Sequence, residues 1–309
     1  MKWVTSVDIA PSDKKICYSD KVLLLGSCFA DNIGVKFGQY YFQTTVNPFG
    51  TLYNPASIAN TIAQGQSRVQ KVSPVYHDGM WHSFSHHGSF SCVEKEQLLN
   101  VCERSRRELQ YALQQATIMI ITFGTAWVYE YEGQVVANCH KMPANRFVRR
   151  RLTVDEIVEM WKPLLDSMPD KHWIFTVSPI RHVKDGLHDN QLSKAILLQA
   201  IEQLGQLPIA NSQLSYFPSY EIMIDELRDY RFYSEDMLHP SPMAVDYIWQ
   251  RFVDTYMSKD TQTEMCTLHQ LWRDRHHRFL HPDSEDAKRF ADGVLQRLKA
   301  IQKRYEWIV

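Results

Sequence analysis

The sequence predicts an α/β fold with a mostly parallel sheet covered by helices on both faces, followed by a helical C-terminal appendage. Short β-branched or apolar runs recur along the chain, and several are apolar on both faces, as buried parallel strands are. Longer helical patterns lie between these runs, and such alternation is typical of a parallel sheet with crossover helices. The predicted strands are residues 22–25, 44–47, 118–122, 173–177 and 214–217.

Capping residues mark where some of the intervening helices begin. The pair Asn54-Pro55 places an N-cap before a proline in the first turn, which is a typical helix start. Thr153 and Glu156 have the spacing of a capping box, in which two side chains satisfy backbone N–H groups of the first turn. The predicted helices are residues 55–65, 94–115, 153–168, 190–204 and 242–257, and a hairpin joins 127–131 to 135–137.

The C-terminal segment differs in character from the rest of the chain. Residues 260–309 are charged, have a helical pattern interrupted at His281-Pro282, and contain no strand signal. We therefore divide the chain into a main domain, residues 1–259, and a helical extension, residues 260–309. Aromatic residues of the extension, among them Trp272 and Trp307, need a surface to cover. We expect the extension to dock on the main domain or, by self-association, on another subunit.

The composition excludes several classes of protein. The 309 residues are 44% hydrophobic and 22% charged, which is ordinary for a folded chain and excludes a disordered one. The 34 basic residues nearly balance the 35 acidic residues, so no global field favours nucleic acid or an anionic membrane surface. No apolar run approaches the ~18 residues that a membrane-spanning helix needs. We therefore expect neither a nucleic-acid partner nor a membrane span.

The cysteines and the N-terminus indicate the compartment. Six cysteines are scattered along the chain without a C-x-x-C pair. In a chain of this length they indicate reduced, mostly buried thiols rather than a disulfide framework. The first residues lack an apolar stretch of signal-peptide length. We therefore expect a cytoplasmic protein.

The first candidate for chemistry is a serine after the first predicted strand. Ser27 lies between Gly26, where the strand ends, and a helix that begins near Ala30. It therefore lies at the carboxyl end of a central strand, where open α/β sheets bind ligands. Glycine permits a tight turn there, and the helix start offers backbone N–H groups to a developing negative charge. The alternative is that Ser27 only caps the helix and Cys28 is a small core residue.

The second candidate is an acid and a histidine after the last predicted strand. Asp236 and His239 are three residues apart, just before a helix opened by Pro242. A carboxylate at this spacing can accept the imidazole Nδ1–H, which fixes the tautomer and leaves Nε2 as a base. Prolines on both sides of Ser241 stiffen the loop that would hold such a base. The alternative is a surface aspartate beside a capping histidine.

Together, these segments have the chain order of the SGNH/GDSL-type serine hydrolases. The chain resembles the GSCFA-domain family, whose name is spelled by residues 26–30. The resemblance spans roughly residues 20–258, and the pentapeptide with Asp-x-x-His-Pro makes it specific. Other family-like segments are residues 47–55, 122–127, 138–141, 178–182, 190–195 and 230–233.

The resemblance implies a flavodoxin-like three-layer α/β/α hydrolase fold of the SGNH type. It implies Ser27 as the nucleophile, His239 as the base and Asp236 as the acid that orients the base. Gly50 corresponds to the glycine that usually offers a second oxyanion N–H beside that of Ser27. His140 follows the predicted hairpin, and the resemblance favours a position facing the site over a strand cap.

The chain departs from the SGNH pattern in one block. That block is normally Gly-x-Asn-Asp, with the asparagine side chain completing the oxyanion hole, but residues 124–127 read Gly-Thr-Ala-Trp. Loss of one oxyanion donor costs on the order of 10²–10³ in rate unless another group replaces it. The candidate replacements are the Thr125 hydroxyl, Asn54, and Arg181 or His182 from the loop after the fourth predicted strand.

Two other polar clusters have less specific interpretations. His82, His86, His87 and Cys92 form a dense patch, but their spacing matches no strong zinc pattern, and we expect no metal. Four arginines at positions 146, 149, 150 and 151 precede a helix. No glycine-rich segment accompanies them, so we interpret them as a solvated face rather than a phosphate site.

The sequence thus favours a serine esterase or deacylase that needs no cofactor and acts on a small-molecule acyl ester. The resemblance suggests a small O-acyl group on a carbohydrate. One alternative is an acyltransferase that uses the same triad. Another is a catalytically impaired binding protein, for which the missing asparagine is the main argument. An assembly role of the C-terminal helices is a third hypothesis.

Overall fold

A computed structural model describes residues 5–67, 72–208 and 213–309. Along the first half of the chain the elements are β1 (Lys21–Gly26), α1 (Cys28–Gln39), β2 (Gln43–Val46), α2 (Pro55–Gln66), β3 (Pro74–His77), β4 (Met80–Ser83), α3 (Lys95–Gln115), β5 (Ile118–Phe123), β6 (Trp127–Tyr131) and β7 (Gln134–Val136). The second half contains β8 (Val148–Arg151), α4 (Val154–Ser167), β9 (His172–Val177), α5 (Leu187–Gln206), β10 (Gln213–Phe217), α6 (Ser219–Glu221), α7 (Pro242–Tyr256), α8 (Lys259–Arg275) and α9 (Glu285–Gln302).

The five predicted strands form one central sheet. Its strand order is β10-β9-β5-β1-β2, and every neighbouring pair is parallel. After β1 the chain moves outward to β2 and then returns to the other side of β1 with β5. Open α/β sheets bind ligands outside the carboxyl ends of the strands at such a reversal. Ser27 follows β1 and Gly124 follows β5, so both lie at this point.

The sheet separates two hydrophobic cores. Along β1, Leu23 and Leu25 belong to one core, with α2–α5, whereas Val22 and Leu24 belong to the other, with α1 and α7. Successive side chains of a strand point to opposite faces, so a strand buried on both sides is apolar throughout. The predicted three-layer α/β architecture is therefore confirmed.

Two small antiparallel sheets lie outside the central sheet. One pairs β3 with β4, and the other has the order β7-β6-β8. Arginines 149–151, which the sequence interpretation assigned to a solvated face, form most of β8, a strand that pairs with β6, and their side chains contact acidic residues. Arg150 contacts Glu130 and Glu156 at 2.8 Å, and Arg149 pairs with Asp185.

The C-terminal helices pack against the main part of the chain. Met265 and Leu268 of α8, together with Tyr305 and Ile308, belong to the core that contains α1 and Leu24. Trp307 Nε1 donates to the Tyr41 carbonyl at 2.9 Å, just after α1. Tyr305 and Trp307 therefore cover the surface beside α1, whereas Phe279 packs on Phe290 within the segment itself. None of the helices in the described part of the chain is long and apolar enough to cross a membrane.

Candidate active site

Ser27 occupies a tight turn between β1 and α1. It is the N-cap of α1, and its Oγ accepts a hydrogen bond from the Phe29 N–H at 3.3 Å. Gly26 has φ +140°, and a side chain there would collide with the Thr122 carbonyl of β5, so only glycine fits. Ser27 itself is 0% exposed. The predicted strand-to-helix turn is present, and the capping role that the sequence left open is real.

Asn47 and Asp31 fix this turn against the loop after β2. Asn47 Oδ1 accepts the Gly26 N–H at 2.8 Å, and Asn47 Nδ2 donates to Asp31 Oδ1 at 2.7 Å. Thr51 Oγ1 donates to the second Asp31 oxygen at 2.9 Å. The sequence did not predict this network, whose only local signal is Asn47 beside Pro48. Three segments of the chain therefore hold Ser27 in place: the turn itself, the start of α1 and the loop after β2.

The backbone donors expected for an oxyanion hole are engaged elsewhere. The Gly50 N–H donates to the Asn47 carbonyl at 2.7 Å within a turn, so the structure does not offer it to a substrate as the resemblance implied. The Ser27 N–H donates to the Thr122 carbonyl at 3.2 Å. The Cys28 N–H is the first of α1. At a helix start, such an N–H favours negative charge.

Asp236 and His239 form a hydrogen-bonded pair in the loop before α7. His239 Nδ1 lies 2.5 Å from Asp236 Oδ2. The other carboxylate oxygen accepts the N–H groups of Leu238 at 2.9 Å and His239 at 3.0 Å. These backbone donors, and then the imidazole, lower the pKa of Asp236 to about 2. The carboxylate is therefore ionised near neutral pH and orients the ring.

Arg181 joins this loop to the loop after β9. Its backbone N–H donates to the Leu238 carbonyl at 3.2 Å, and its guanidinium donates to the Met237 carbonyl. The guanidinium also stacks on Tyr233, 4.3 Å from the ring centroid. Arg181 is therefore committed to the His239 loop and does not replace the missing oxyanion donor. It places that loop at the carboxyl end of β9.

Among the described residues, no hydrogen bond connects Ser27 with His239. The Ser27 hydroxyl bonds to the Phe29 N–H, and the His239 ring bonds to Asp236. Between them lie Gly124 and His182. A side-chain carbon on Gly124 would come within 3.4 Å of Ser27 Cβ and 3.3 Å of His182 Nε2. His182 is close enough to His239 for an electrostatic interaction between the two rings. The two predicted segments thus lie at the same edge of the sheet without direct contact.

Three further predicted site residues bond elsewhere. The Thr125 hydroxyl lies 3.0 Å from Ser193 Oγ and accepts the Trp127 N–H. Asn54 Oδ1 caps α2 by accepting the Ser57 N–H at 2.8 Å. His140 Nε2 lies 2.8 Å from the Ser83 carbonyl, and its ring stacks on His82. None of these three polar groups is directed to Ser27 by its hydrogen bonds.

His182 is the remaining candidate. Its backbone N–H donates to Asn190 Oδ1 at 2.9 Å. Asn190 belongs to α5, which begins at Leu187 rather than at the predicted residue 190. Its Nε2 is buried and has no hydrogen-bond partner in the described structure. Burial, and after it the charges of Lys194 and His239, lower the pKa of His182 to about 3. The ring is therefore neutral near pH 7.

Lys194 is a buried cation that the sequence reasoning missed. It lies on α5, and its Nζ donates to the carbonyls of Gly124 and Ser178, each at 2.7 Å. Burial lowers its pKa to about 7. A lysine within the largely apolar face of a helix is the signal that the sequence offered. Through these two hydrogen bonds, the Lys194 side chain links the carboxyl ends of β5 and β9.

Comparison with known families decides where the chain belongs. The model of the GSCFA family matches residues 21–252 of the 309. The chain belongs to the GSCFA family. The match begins with β1 and ends within α7, so it contains Ser27, His239 and Lys194, whereas α8 and α9 lie outside it. A search of curated proteins found no significant match.

The histidine patch of this GSCFA protein lies in the β4 region. His82 Nδ1 lies 2.6 Å from Ser91 Oγ, and His86 Nδ1 lies 2.8 Å from Ser83 Oγ. In the described ranges, no group of three or more His, Cys, Asp and Glu side chains is arranged to hold a metal ion. Burial raises the pKa of Cys28, the other nucleophile near the turn. A raised pKa keeps this thiol protonated near pH 7, which does not favour it as the nucleophile.

Proposed function

We propose that this GSCFA protein is a serine hydrolase of the SGNH/GDSL type that cleaves an O-acyl ester. The carrying observation is the Asp236–His239 pair, 2.5 Å apart, on a loop that Arg181 holds at the edge of the sheet where Ser27 caps α1. An exposed histidine oriented by an ionised carboxylate has the form of a general base. Superfamily membership beyond GSCFA and the cytoplasmic location stay predictions.

The reaction needs Ser27 Oγ to leave the Phe29 N–H. That hydrogen bond is long, at 3.3 Å, and is therefore weak. His239 Nε2 then takes the hydroxyl proton while Oγ attacks the acyl carbonyl, and Asp236 stabilises the imidazolium. Collapse of the tetrahedral intermediate breaks the ester C–O bond, and the imidazolium returns its proton to the leaving alcohol. Water, deprotonated by His239, releases the carboxylic acid from the acyl-enzyme.

The site favours a small acyl group. Ser27 is 0% exposed, and the region between the serine and His182 is so small that a methyl group on residue 124 would come within 2.9 Å of the Tyr53 carbonyl oxygen. An acetyl-sized group requires the least displacement of these neighbours. The alcohol half would face the more open side, where the exposed ring of Tyr230 lies. A carbohydrate alcohol is the class that the family resemblance suggests, and aromatic rings suit its apolar faces.

The buried state of Ser27 also favours a second candidate, a non-catalytic binding protein. Its hydroxyl is occupied as a helix cap, and the expected Gly50 donor is engaged in a turn. In that protein the Asp236–His239 pair would bind a ligand without activating the serine. Reactivity of Ser27 separates the two candidates.

The test uses p-nitrophenyl acetate hydrolysis and labelling by a fluorophosphonate, with the labelled residue located by mass spectrometry. We expect turnover and labelling at Ser27, and loss of both in Ser27→Ala. Ser284→Ala is the matched control, because Ser284 also caps a helix, accepting the Ala287 N–H at 3.2 Å. Both variants lose a cap worth ~1 kcal/mol, but only the first should lose activity. Equal turnover in Ser27→Ala overturns the proposal, and acyl transfer to an added alcohol would identify a transferase.

A further inference from the structure

The strongest unexplained group near Ser27 is the imidazole of His182. The oxyanion hole needs a donor to replace the asparagine absent from residues 124–127. The hydrogen bonds of Thr125, Asn54 and Arg181 commit these side chains to Ser193, Ser57 and Met237. Two of the four candidates have a buried nitrogen without a partner in the described structure, Arg181 Nε and His182 Nε2. Of these two, His182 Nε2 is the one that lies beside Gly124, next to Ser27. A buried polar atom without a partner is costly unless a ligand satisfies it.

The glycine at residue 124 keeps a side chain away from both His182 and Ser27. A Cβ there would lie 2.9 Å from the Tyr53 carbonyl oxygen, 3.3 Å from His182 Nε2 and 3.4 Å from Ser27 Cβ, so no side chain fits without a shift. Because one point is this near to both groups, His182 Nε2 and Ser27 border the same small region. A carbonyl carbon attacked by Ser27 Oγ carries its oxygen a single bond away, which places the developing oxyanion within reach of Nε2.

We propose that His182 is a catalytic residue that donates a hydrogen bond from Nε2 to the oxyanion of the acyl ester, in place of the missing asparagine. The assignment rests on the proposed hydrolase function. A neutral imidazole carries one proton, and an anion facing Nε2 selects the tautomer with that proton on Nε2. A preformed donor of this kind stabilises charge that appears only in the transition state.

The surroundings of His182 and His239 favour different roles for the two side chains. His239 has a carboxylate partner and a side chain 48% exposed, whereas His182 has no carboxylate partner and sits above the Lys194 ammonium. Burial keeps His182 neutral near pH 7, so it is a poor proton acceptor and can donate from its ring nitrogen. The Lys194 side chain bonds to the Gly124 carbonyl beside the same region.

The experiment compares His182→Ala, His182→Asn and wild type. We expect kcat/KM for p-nitrophenyl acetate to fall ~10²–10³-fold in the alanine variant, as on loss of one oxyanion donor. The asparagine variant restores an N–H donor but no base, so it should recover about tenfold or more of that loss. The pH profile of kcat/KM should keep the same acidic limb in all three, because that limb belongs to His239.

His86→Asn is the matched control. His86 is also buried with an unpartnered Nε2, but it stacks on Phe49 in the histidine patch, so its loss should leave kcat/KM within about threefold. Thermal unfolding of each variant reports folding. Three results overturn the assignment: wild-type rates in His182→Ala, no recovery in His182→Asn, or an acidic limb that disappears in the asparagine variant. If wild type shows neither turnover nor labelling of Ser27, the hydrolase proposal fails first and the assignment falls with it.

Discussion

The two ends of the candidate site are held in different ways. Ser27 is 0% exposed, and its turn is fixed by the sheet, by Gly26 and by Asn47. Asp236 and His239 lie in a loop, with side chains 45% and 48% exposed, which hydrogen bonds and one arginine hold. The core therefore determines the position of Ser27, whereas surface contacts determine the position of His239. We therefore expect substitutions near Ser27 to affect folding and substitutions near His239 to affect activity.

The largest effect is expected on the serine side. Gly26→Ala places a side chain against the Thr122 carbonyl at a φ of +140°, so β1 and β5 must separate. We expect little folded protein, measured as soluble yield and thermal unfolding. Gly38→Ala is the control, because it lies in α1 with open space around it and should stabilise the helix by about 0.5–1 kcal/mol. A normally folded Gly26→Ala would show that the turn is adaptable.

The histidine side should lose activity without losing the fold. Asp236→Asn removes the charge that orients His239, and comparable changes in serine hydrolases lower kcat about 10⁴-fold. The exposed side chain contributes little to packing, so the unfolding midpoint should barely move. Asp229→Asn is a matched control in the same region, since Asp229 is an exposed carboxylate paired with Arg231. Equal activity in Asp236→Asn and wild type contradicts the role of the pair.

Arg181→Met tests how the exposed loop is positioned. The variant loses the guanidinium bond to the Met237 carbonyl and the stacking on Tyr233. We expect kcat to fall about tenfold through a misplaced base, with KM changed less. Arg231→Met, whose side chain pairs with Asp229, should keep full activity. A change confined to KM would instead indicate that Arg181 contacts the substrate.

The last prediction concerns stability against pH and leaves the candidate site untouched. Burial, with a further contribution from His140, lowers the pKa of His86 from 6.5 to about 3. In this window the unfolded state binds a proton that the folded state does not, so the free energy of unfolding rises with pH between about 3 and 6.5. His86→Leu should flatten that rise by on the order of a few kcal/mol, measured by urea unfolding at pH 4 and pH 7. An unchanged rise would locate the dependence elsewhere, for example at His182.

The sequence predicted those parts of the molecule that local patterns determine. Runs apolar on both faces predicted β1, β5 and β9, and the Thr153–Glu156 capping box predicted the start of α4. The strand β8 was missed because Arg149–Arg151 has no apolar alternation, and its backbone pairs with residues 127–130 of β6, which a local pattern does not reveal. Local signals could not reveal partners that only the fold supplies.

The same distinction applies to the site. The Asp236–His239 contact was predictable because three residues separate the partners in one loop. The engagement of the Gly50 N–H, the cross-link through Lys194 and the unpartnered Nε2 of His182 depend on where separate segments meet. A family pattern predicts which residue types are present in a chain. It does not predict which hydrogen bonds those residues form in that chain.

The packing of α7 on α1 has a consequence for synthesis on the ribosome. Phe37 of α1 packs edge-on against Trp249, with ring centroids 4.9 Å apart, and against Phe252. The helix that Ser27 begins therefore exposes an aromatic side chain until a segment more than two hundred positions later is translated. Non-local contacts of this kind form slowly, and uncovered apolar surface promotes aggregation of a nascent chain. The nascent chain gains His239 and covers this helix in the same late event.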